Sequence, residues 1–208
     1  MFVWEYRRLF NDVILEEIQR DFQNFEIRNV LDIGCGDGYL LHLLAEAYPK
    51  LNAIYCFEKS YVEITDENSP KIKHFDFKSY KDYRDFFDVI TLIDVLYLMN
   101  KEEVDSLVEK MSFILSRTGI VYVMLGIYKE SRGIELFSSQ IELLKDKYSV
   151  TIYSLDEICS IFSRKFKVFL KKINLVSYFG IMPPKFKDVK RFIDYLYEDK
   201  IIIKLILK

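Results

Sequence analysis

Three glycines follow a short apolar segment and constrain the fold more than any other feature of this chain. Residues 30–45 read VLDIGCGDGYLLHLLA: the apolar run contains Asp32, glycines occupy positions 34, 36 and 38, and an apolar helical pattern follows at once. A tight glycine turn between a buried strand and a helix lets the backbone lie close to a nucleoside-bearing ligand. The pattern therefore predicts a strand–turn–helix unit that binds such a ligand.

Strands and helices alternate on either side of this turn. Apolar runs predict strands over residues 30–33, 52–57, 71–75, 89–93 and 120–125, and helical periodicity predicts helices over 1–26, 39–48 and 101–115. Beyond residue 126 the pattern predicts helices over 134–144, 155–162 and 188–197 and strands over 166–173 and 201–207. Ser154 and Glu157 form a capping-box pattern at the start of the second of these helices. The alternation indicates an α/β protein with a parallel sheet.

Length and composition indicate an ordinary globular protein. The 208 residues, half of them hydrophobic with 7 Gly and 4 Pro, predict a single domain over 1–208. The longest apolar runs are too short to span a membrane and the first residues lack the order of a signal peptide, so we expect a cytoplasmic protein without membrane contact. Three cysteines without CxxC spacing and two isolated histidines predict neither a disulfide framework nor a metal site.

Two common nucleotide-binding motifs do not fit the glycine turn. A dinucleotide site of the G-x-G-x-x-G type needs a third glycine at position 39, where this chain has Tyr39. A phosphate-binding P-loop needs Gly-Lys-Ser or Gly-Lys-Thr after the turn, and none follows. The turn therefore requires another interpretation.

The run from Asp32 to Gly38, an acidic residue followed by G-x-G-x-G, resembles motif I of the Rossmann-like S-adenosylmethionine-dependent methyltransferases. The resemblance implies a seven-stranded, mostly parallel sheet with an antiparallel last strand and helices on both faces. Residues 166–173 and 201–207 would be the sixth and seventh strands. It also implies that S-adenosylmethionine is the cofactor and that the turn holds its methionine and ribose parts. The implied cofactor contacts in this turn are Asp32, Gly34, Cys35, Gly36 and Gly38.

Acidic residues at the ends of the next predicted strands extend the resemblance. Glu58, after the second strand, matches the carboxylate that accepts both ribose hydroxyl hydrogens. Asp76 and Phe77, after the third strand, match the side chain and the backbone N–H that contact adenine. Lys59 departs from the family, which has an apolar side chain on the adenine face, but its stem could cover the ring. Asp94, at the end of the fourth strand, would lie close to the methyl group.

Methyl transfer from a sulfonium needs alignment of the two reactants more than it needs a catalytic group. Near the methyl group the candidates are Asp94, as proton acceptor or as attractant of the sulfonium, and Tyr97, as a lining of the acceptor pocket. For Tyr97, ordinary packing is the favoured interpretation, so the catalytic residue is unassigned. The resemblance continues to residues 115–120, which match the position of the turn before the fifth strand in the family.

The acceptor is the part of the function that the sequence leaves open. Helix 1–26, as a lid, and residues 126–154, as an insertion, would enclose it; these segments and the end of the fourth strand carry the aromatic side chains Trp4, Tyr6, Tyr97, Tyr128 and Phe137. We therefore expect a small-molecule acceptor. Residues 151–208 hold 12 Lys and Arg against 6 Asp and Glu, so an RNA or protein acceptor is the alternative. A non-catalytic member of the fold that binds the cofactor or a partner is a third hypothesis.

Overall fold

A seven-stranded sheet forms the centre of the computed structural model, which describes residues 2–59, 72–131, 134, 138–174 and 200–208, with backbone only for 2–7, 139 and 140. The strands are β1 Asn29–Ile33, β2 Ala53–Phe57, β3 Ile72–His74, β4 Phe87–Ile93, β5 Leu115–Leu125, β6 Phe166–Ile173 and β7 Lys200–Leu207. The helices are α1 Phe2–Asp21, α2 Tyr39–Ala47, α3 Lys101–Ile114, α4 Ser138–Lys145 and α5 Leu155–Ser163. Two 3₁₀ helices span Phe77–Tyr83 and Leu96–Leu98.

The strand order is β3-β2-β1-β4-β5-β7-β6. Strands β1 to β5 pair in parallel, and β7 runs antiparallel to both of its neighbours, β5 and β6. The sheet therefore has six strands in one direction and the last strand in the other. This arrangement confirms the predicted Rossmann-like fold class.

Helices cover both faces of the sheet and divide the core into two layers. On one face α1, α2 and α4 pack against strand residues such as Val30, Val89 and Tyr122. On the other face α3 and α5 pack against the alternate residues, such as Leu31 and Ile90. Because both faces are buried, the central strands are near-continuous apolar runs, which is the pattern that made them recognisable in the sequence.

Capping residues determine where two of the helices begin. The Ser154 hydroxyl accepts a hydrogen bond from the Glu157 backbone N–H, and the Glu157 side chain accepts one from the Ser154 N–H. This confirms the predicted capping box at α5. Asn100 and Glu103 form a second capping box at the start of α3, which the sequence analysis did not predict.

Strand β5 is longer than predicted, and the turn expected over residues 115–120 is wrong. The chain passes from α3 into β5 at Leu115 and continues as strand to Leu125. A Cβ at Gly119 would lie 2.9 Å from the Phe87 carbonyl oxygen, so the glycine permits the close approach of β5 to β4. The pairing of the two strands shifts register between Phe87 and Val89 beside this contact.

Helix α1 ends at Asp21, so the prediction of a helix to residue 26 is wrong for its last five residues, and the remaining predicted elements lie close to their predicted bounds wherever the structure describes them. Helix α4 covers the C-terminal part of the helix predicted over 134–144. The helix predicted over 188–197 lies outside the described residues. Among the helices that are described, none is long and apolar enough to cross a membrane.

Candidate functional site

The predicted site residues converge where the carboxyl ends of β1, β2 and β4 meet. Strand β1 pairs with β2 on one side and with β4 on the other. From β1 the chain builds the sheet outward to β2 and β3 on one side, and then returns to add β4 and β5 on the other side. In an open parallel sheet, ligands bind in the crevice at such a point. The glycine turn follows β1, Glu58 follows β2 and Asp94 follows β4, which brings them to one edge of the sheet.

The three glycines of the turn all adopt left-handed backbone conformations, with φ of 80° at Gly34, 53° at Gly36 and 76° at Gly38. A Cβ at Gly34 would lie 2.2 Å from Val95 Cγ1, so Gly34 allows β4 to pack against the turn. A Cβ at Gly36 would meet no atom within 4 Å and would point into open space. Gly34 is therefore needed for close packing, whereas Gly36 leaves an open space beside its backbone, which we call the cradle.

Asp32 is buried at the end of β1, with 3% of its surface exposed. The hydroxyl of Thr91, its register partner on β4, donates a hydrogen bond of 2.7 Å to Asp32 Oδ1. Burial raises the pKa of Asp32 to about 7; the Thr91 hydrogen bond opposes this shift and the Glu58 carboxylate adds to it. A buried carboxyl without a cationic partner of its own is well suited to a cationic ligand.

Glu58 reaches from the end of β2 over the glycine turn. Its Oε2 accepts a hydrogen bond of 3.2 Å from the Gly36 backbone N–H, and its Oε1 accepts one of 2.9 Å from the Lys59 N–H. The carboxylate thus lies beside the open cradle at Gly36. The predicted neighbours Asp32, Gly36 and Glu58 are brought together here.

A groove of about 360 Å³ continues from Glu58 toward α3, and it contains two more of the predicted residues. Phe57, Phe77 and Met99 give it apolar walls, and the Phe57 and Phe77 rings lie 4.7 Å apart in an edge-to-face arrangement. Lys59 also lines the groove and forms an ion pair with Glu103 of α3. The Lys59 stem therefore lines the groove while its ammonium is held at the surface.

Asp76 lies next to this groove at the start of the first 3₁₀ helix. Its Oδ1 accepts a hydrogen bond of 2.9 Å from the Lys78 backbone N–H, which makes Asp76 the N-cap of that helix. The cap fixes the direction of the side chain beside Phe77. Its predicted contact with an adenine amino group stays a prediction.

Asp94 connects the ends of β4 and β5. Its Oδ1 accepts a hydrogen bond of 3.0 Å from the Gly126 N–H, and its own N–H donates one of 2.9 Å to the Met124 carbonyl. It is buried and has a left-handed backbone with φ of 54°, which is uncommon for a residue with a side chain. The geometry gives Asp94 a structural contact that the sequence did not indicate.

The described aromatic side chains of the expected acceptor region are packed inside the protein. Tyr97 and Tyr128 are buried, and the Tyr97 carbonyl accepts a hydrogen bond of 2.9 Å from the Thr151 N–H. The side chains of Trp4, Tyr6 and Phe137 lie outside the described residues. An aromatic acceptor pocket therefore stays a prediction.

Cys35 and Cys56 are joined by a disulfide at the glycine turn, a pairing that the cysteine spacing did not indicate. Asp32 is in register with Cys56 on β2, and the turn after Asp32 folds back to bring Cys35 within 5.7 Å of it, Cα to Cα. The two cysteines are 21 positions apart in sequence and have no recognisable spacing motif. Only the pairing of β1 with β2 brings them together.

Two polar residues of α1 also reach the turn, and the sequence analysis missed them. Arg8 and Asn11 line a small cavity together with Asp32, Gly36 and Asp37. Their spacing of three residues places them on one face of α1, which is the signal that could have identified them. Among the described residues, no group of three or more His, Cys, Asp and Glu side chains is arranged to hold a metal ion.

Solved structures of methyltransferases share this fold. A putative methyltransferase complexed with the Haloferax volcanii Trm112 methyltransferase activator is similar with a TM-score of 0.67 and 16% identity, over 98% of this chain and 95% of that chain. The plantazolicin methyltransferase BpumL, bound to a desmethylPZN analog and SAH, has a TM-score of 0.65 and 16% identity, over 98% and 84%.

A third similar structure is larger than this protein. It is phosphoethanolamine N-methyltransferase 2 of Haemonchus contortus with S-adenosylhomocysteine, with a TM-score of 0.62 and 14% identity over 93% of this chain, which spans about half (52%) of that chain. At these identities the likeness concerns the fold. No match is found among curated protein sequences.

The amino-acid sequence shows which family the protein belongs to, whereas the structural likeness shows only the fold. Residues 3–176 match the family described as "Methyltransferase domain", and this range holds the glycine turn, Glu58, Asp76 and Asp94. The match covers most of the chain, and the structure has the family's strand order with its antiparallel last strand. The protein therefore belongs to the Rossmann-like methyltransferases that use S-adenosylmethionine as their cofactor.

Proposed function

We propose that this protein transfers the methyl group of S-adenosylmethionine to a small-molecule acceptor at the edge of the sheet formed by β1, β2 and β4. The observation that carries the proposal is the open cradle at Gly36, which has the carboxyl groups of Asp32 and Glu58 beside it. Both carboxyl groups suit a ligand that has a cationic end and a ribose diol.

The residues present fit this cofactor from end to end. The cradle at Gly36, beside Asp32, would hold the methionine part, and Glu58 would accept hydrogen bonds from the ribose hydroxyls. The neighbouring groove, which has apolar walls from Phe57 and Phe77 and is also lined by Lys59, would take the adenine ring. In this assignment Gly34, Cys35 and Gly38 shape the turn, and Asp76 and the Phe77 N–H recognise the edge of the ring.

The reaction would depend on alignment. When bound, the cofactor supplies the electrophilic methyl group, and the protein holds the acceptor in line with it. We assign Asp94 a positioning role, because its carboxylate accepts the Gly126 N–H and so fixes the start of the segment 126–154 next to the site. We assign Tyr97 a packing role because it is buried in the core. A general base, if the acceptor needs one, is unassigned.

A small acceptor is favoured over a macromolecule because four of the eight Lys and Arg side chains that the structure describes within 151–208 are already in ion pairs. The described cations with acidic partners are Arg164 with Asp105, Lys165 with Glu109, Lys171 with Glu17, and Lys204 with Glu17 and Asp21. A phosphate backbone would have to compete with these carboxylates for the same cations.

Two further assignments belong to this proposal. The chain 1–208 would be one domain in which α1 and the segment 126–154 enclose the acceptor. The segment returns to the edge of the sheet, since the Tyr153 hydroxyl donates a hydrogen bond of 2.8 Å to the Met99 carbonyl after β4. A cytoplasmic location stays a prediction.

Calorimetry with S-adenosylhomocysteine tests the cofactor site. The wild type is expected to bind, whereas Gly36→Leu, which fills the cradle, and Glu58→Ala, which removes the ribose acceptor, are expected to weaken binding by at least about tenfold. Glu26→Ala is a matched control, because Glu26 is an exposed carboxylate that precedes β1 at the opposite edge of the sheet. Unchanged affinity in both site variants would contradict the assignment.

The acceptor class needs a separate experiment. With cofactor bound, a small-molecule enzyme is expected to show no RNA affinity that falls steeply with salt. Strong, salt-sensitive RNA binding would favour the macromolecular alternative. Cofactor binding without transfer to any small-molecule, RNA or protein acceptor would favour the non-catalytic one.

A further inference from the structure

The small cavity beside the glycine turn joins α1 to the cofactor site. Arg8 and Asn11 form its α1 side, and Asp32, Gly36 and Asp37 form the side of the turn. The lining of the cavity thus includes a cation, an amide and two carboxyl groups. Neither Arg8 nor Asn11 belongs to the glycine turn or to the acidic residues at the strand ends.

The Arg8 guanidinium is held in place by an aromatic ring and not by a carboxylate. Its central carbon lies 4.8 Å from the centroid of the Tyr39 ring, in the first turn of α2. Across the part of the chain that the structure describes, Arg8 forms no ion pair. Stacking restricts the side chain without neutralising it, so its hydrogen-bond donors are kept for another acceptor.

The far end of α1 is anchored to the sheet, which fixes where Arg8 lies. The Lys204 ammonium of β7 lies 2.8 Å from Glu17 Oε2 and 2.7 Å from Asp21 Oδ2. The Tyr122 hydroxyl of β5 donates a hydrogen bond of 2.7 Å to the same Asp21 oxygen. A helix held at its C-terminal end presents its N-terminal side chains to the turn in a defined position.

The chemistry of the cavity matches an amino-acid head group. Such a group carries an ammonium and a carboxylate on one carbon, so its binding site needs an acidic and a basic partner close together. Asp32 and Asp37 can accept from the ammonium. An arginine is the side chain best suited to a carboxylate, because its planar fork can donate two parallel hydrogen bonds.

We propose that Arg8, assisted by the Asn11 amide, binds the carboxylate of the methionine end of the cofactor. The inference rests on the proposed function, since it requires that S-adenosylmethionine binds at the glycine turn. It makes α1 a part of the cofactor site and not only a lid over the acceptor. It also assigns Tyr39, the residue that rules out a dinucleotide motif, a role in positioning Arg8.

Two ligands that differ in the head group test this proposal. S-adenosylhomocysteine carries the amino-acid head, and 5′-methylthioadenosine keeps the adenine, ribose and sulfur but lacks it. In calorimetry, Arg8→Ala is expected to weaken S-adenosylhomocysteine binding about 10- to 100-fold and to change methylthioadenosine binding less than about twofold. Arg8→Lys keeps the charge but not the fork, so it is expected to fall between Arg8→Ala and the wild type.

Further variants separate this role from a structural one. Arg28→Ala removes an equally exposed arginine at the opposite end of β1 and is expected to change neither affinity. Asn11→Ala is expected to weaken only S-adenosylhomocysteine binding, by about threefold. Thermal unfolding of each variant checks that the fold is intact, and Arg8→Lys serves if Arg8→Ala does not fold.

The possible results are distinct. An equal loss of both ligands in Arg8→Ala would mean that Arg8 only supports Tyr39 and the turn, and it would overturn the proposal, as would no loss at all. If the wild type binds methylthioadenosine as tightly as S-adenosylhomocysteine, the head group is not recognised and the proposal is also overturned. If the wild type binds neither ligand, the proposed function itself fails, and this inference fails with it.

Discussion

Asp32 and Glu17 are both buried carboxyl groups, but they lie in different surroundings. Asp32, at the edge of the sheet, accepts a side-chain hydrogen bond from the Thr91 hydroxyl and, among the described residues, from no other side chain, and burial raises its pKa to about 7. Glu17, on α1, lies against β6 and β7. Burial would raise its pKa as well, but hydrogen bonds from Lys171 and Lys204 outweigh burial and lower the pKa to about 2.

The difference shows that the partners of a buried carboxylate, and not its burial, indicate its role. Glu17 has its positive charges within the protein, so its contacts hold α1 to the sheet and need nothing more. Asp32 forms no ion pair within the described part of the chain, and it lies beside the open space at Gly36. A buried carboxyl group at a cavity that lacks an ion-pair partner indicates a cationic ligand.

The largest effect is expected from breaking the structural side of this comparison. Glu17→Gln leaves Lys171 and Lys204 without a full countercharge, and we expect it to lower the free energy of unfolding by about 3 kcal/mol at pH 7. Because the folded pKa of Glu17 is lowered from 4.5 to about 2, its stabilisation should be lost as the pH falls through that range. Urea unfolding from pH 7 down to 3 would measure the difference between variant and wild type.

The exposed neighbour Glu16 provides the control. Glu16→Gln on the same helix is expected to change stability by less than about 0.5 kcal/mol. A difference between wild type and Glu17→Gln that does not shrink at low pH would contradict the assigned charge of Glu17.

Smaller losses of stability are expected when Gly34 or Gly36 is replaced. Comparing the two variants separates the role in packing from the role in cofactor binding. At Gly34 a new Cβ would collide with Val95 in a left-handed backbone, so Gly34→Ala should cost about 2–3 kcal/mol of stability, and Val95→Ala in the same chain should recover part of it. At Gly36 the space is open, so Gly36→Ala should cost only about 1 kcal/mol. Urea unfolding would measure both.

The binding of S-adenosylhomocysteine should rank the two glycines in the opposite order. Gly36→Ala puts a methyl group into the cradle and should weaken binding more, per unit of stability lost, than Gly34→Ala. Equal losses of stability in the two variants would contradict the division of roles.

A change in stability smaller than those of Glu17→Gln and Gly34→Ala is expected at Asp32, and its sign is opposite. The folded pKa is raised from 3.8 to about 7, so the contribution of Asp32 to stability is greatest below pH 4 and is lost as the pH rises to 7. Asp32→Asn removes the buried charge, accepts from Thr91 in the same place, and should stabilise the protein at pH 8 by about 1–2 kcal/mol. At pH 4 the variant and the wild type should be nearly equal.

Cofactor binding should follow the ionised form of the same residue. The affinity of the wild type for S-adenosylhomocysteine is expected to rise as the pH increases toward 7 and then to level off, because the ligand ammonium needs the Asp32 carboxylate. Asp32→Asn should bind more weakly and with little dependence on pH between 5 and 8. An Asp32→Asn variant that is more stable and binds equally well would show that Asp32 is not a ligand of the cofactor.

Local signals in the sequence predicted most of the fold. Left-handed glycines follow a buried strand in a pattern that spans seven residues, and the Ser154–Glu157 capping box spans four. Apolar runs identified the buried strands because both faces of this sheet are covered. The direction of the last strand came from the resemblance to a family, since no local pattern determines it.

Contacts between distant residues escaped prediction for a common reason. The Asp94 carboxylate meets the Gly126 N–H across 32 positions, and Cys35 meets Cys56 across 21. These contacts depend on which strands are neighbours and in which register. The turn that the resemblance implied over residues 115–120 is wrong for a similar reason, since Gly119 permits β5 to approach the Phe87 carbonyl of β4 closely.

The sequence by itself determined that this chain makes a strand, a glycine turn and a helix in a parallel sheet, because backbone conformation and burial depend on residues close together. The tertiary structure alone decided what the turn faces. It placed Thr91 against Asp32, Glu58 against the Gly36 N–H, and Arg8 of α1 in a small cavity that Asp32 and Asp37 also line. Such groupings arise only when distant segments pack together, and they indicate how one end of the cofactor would be bound.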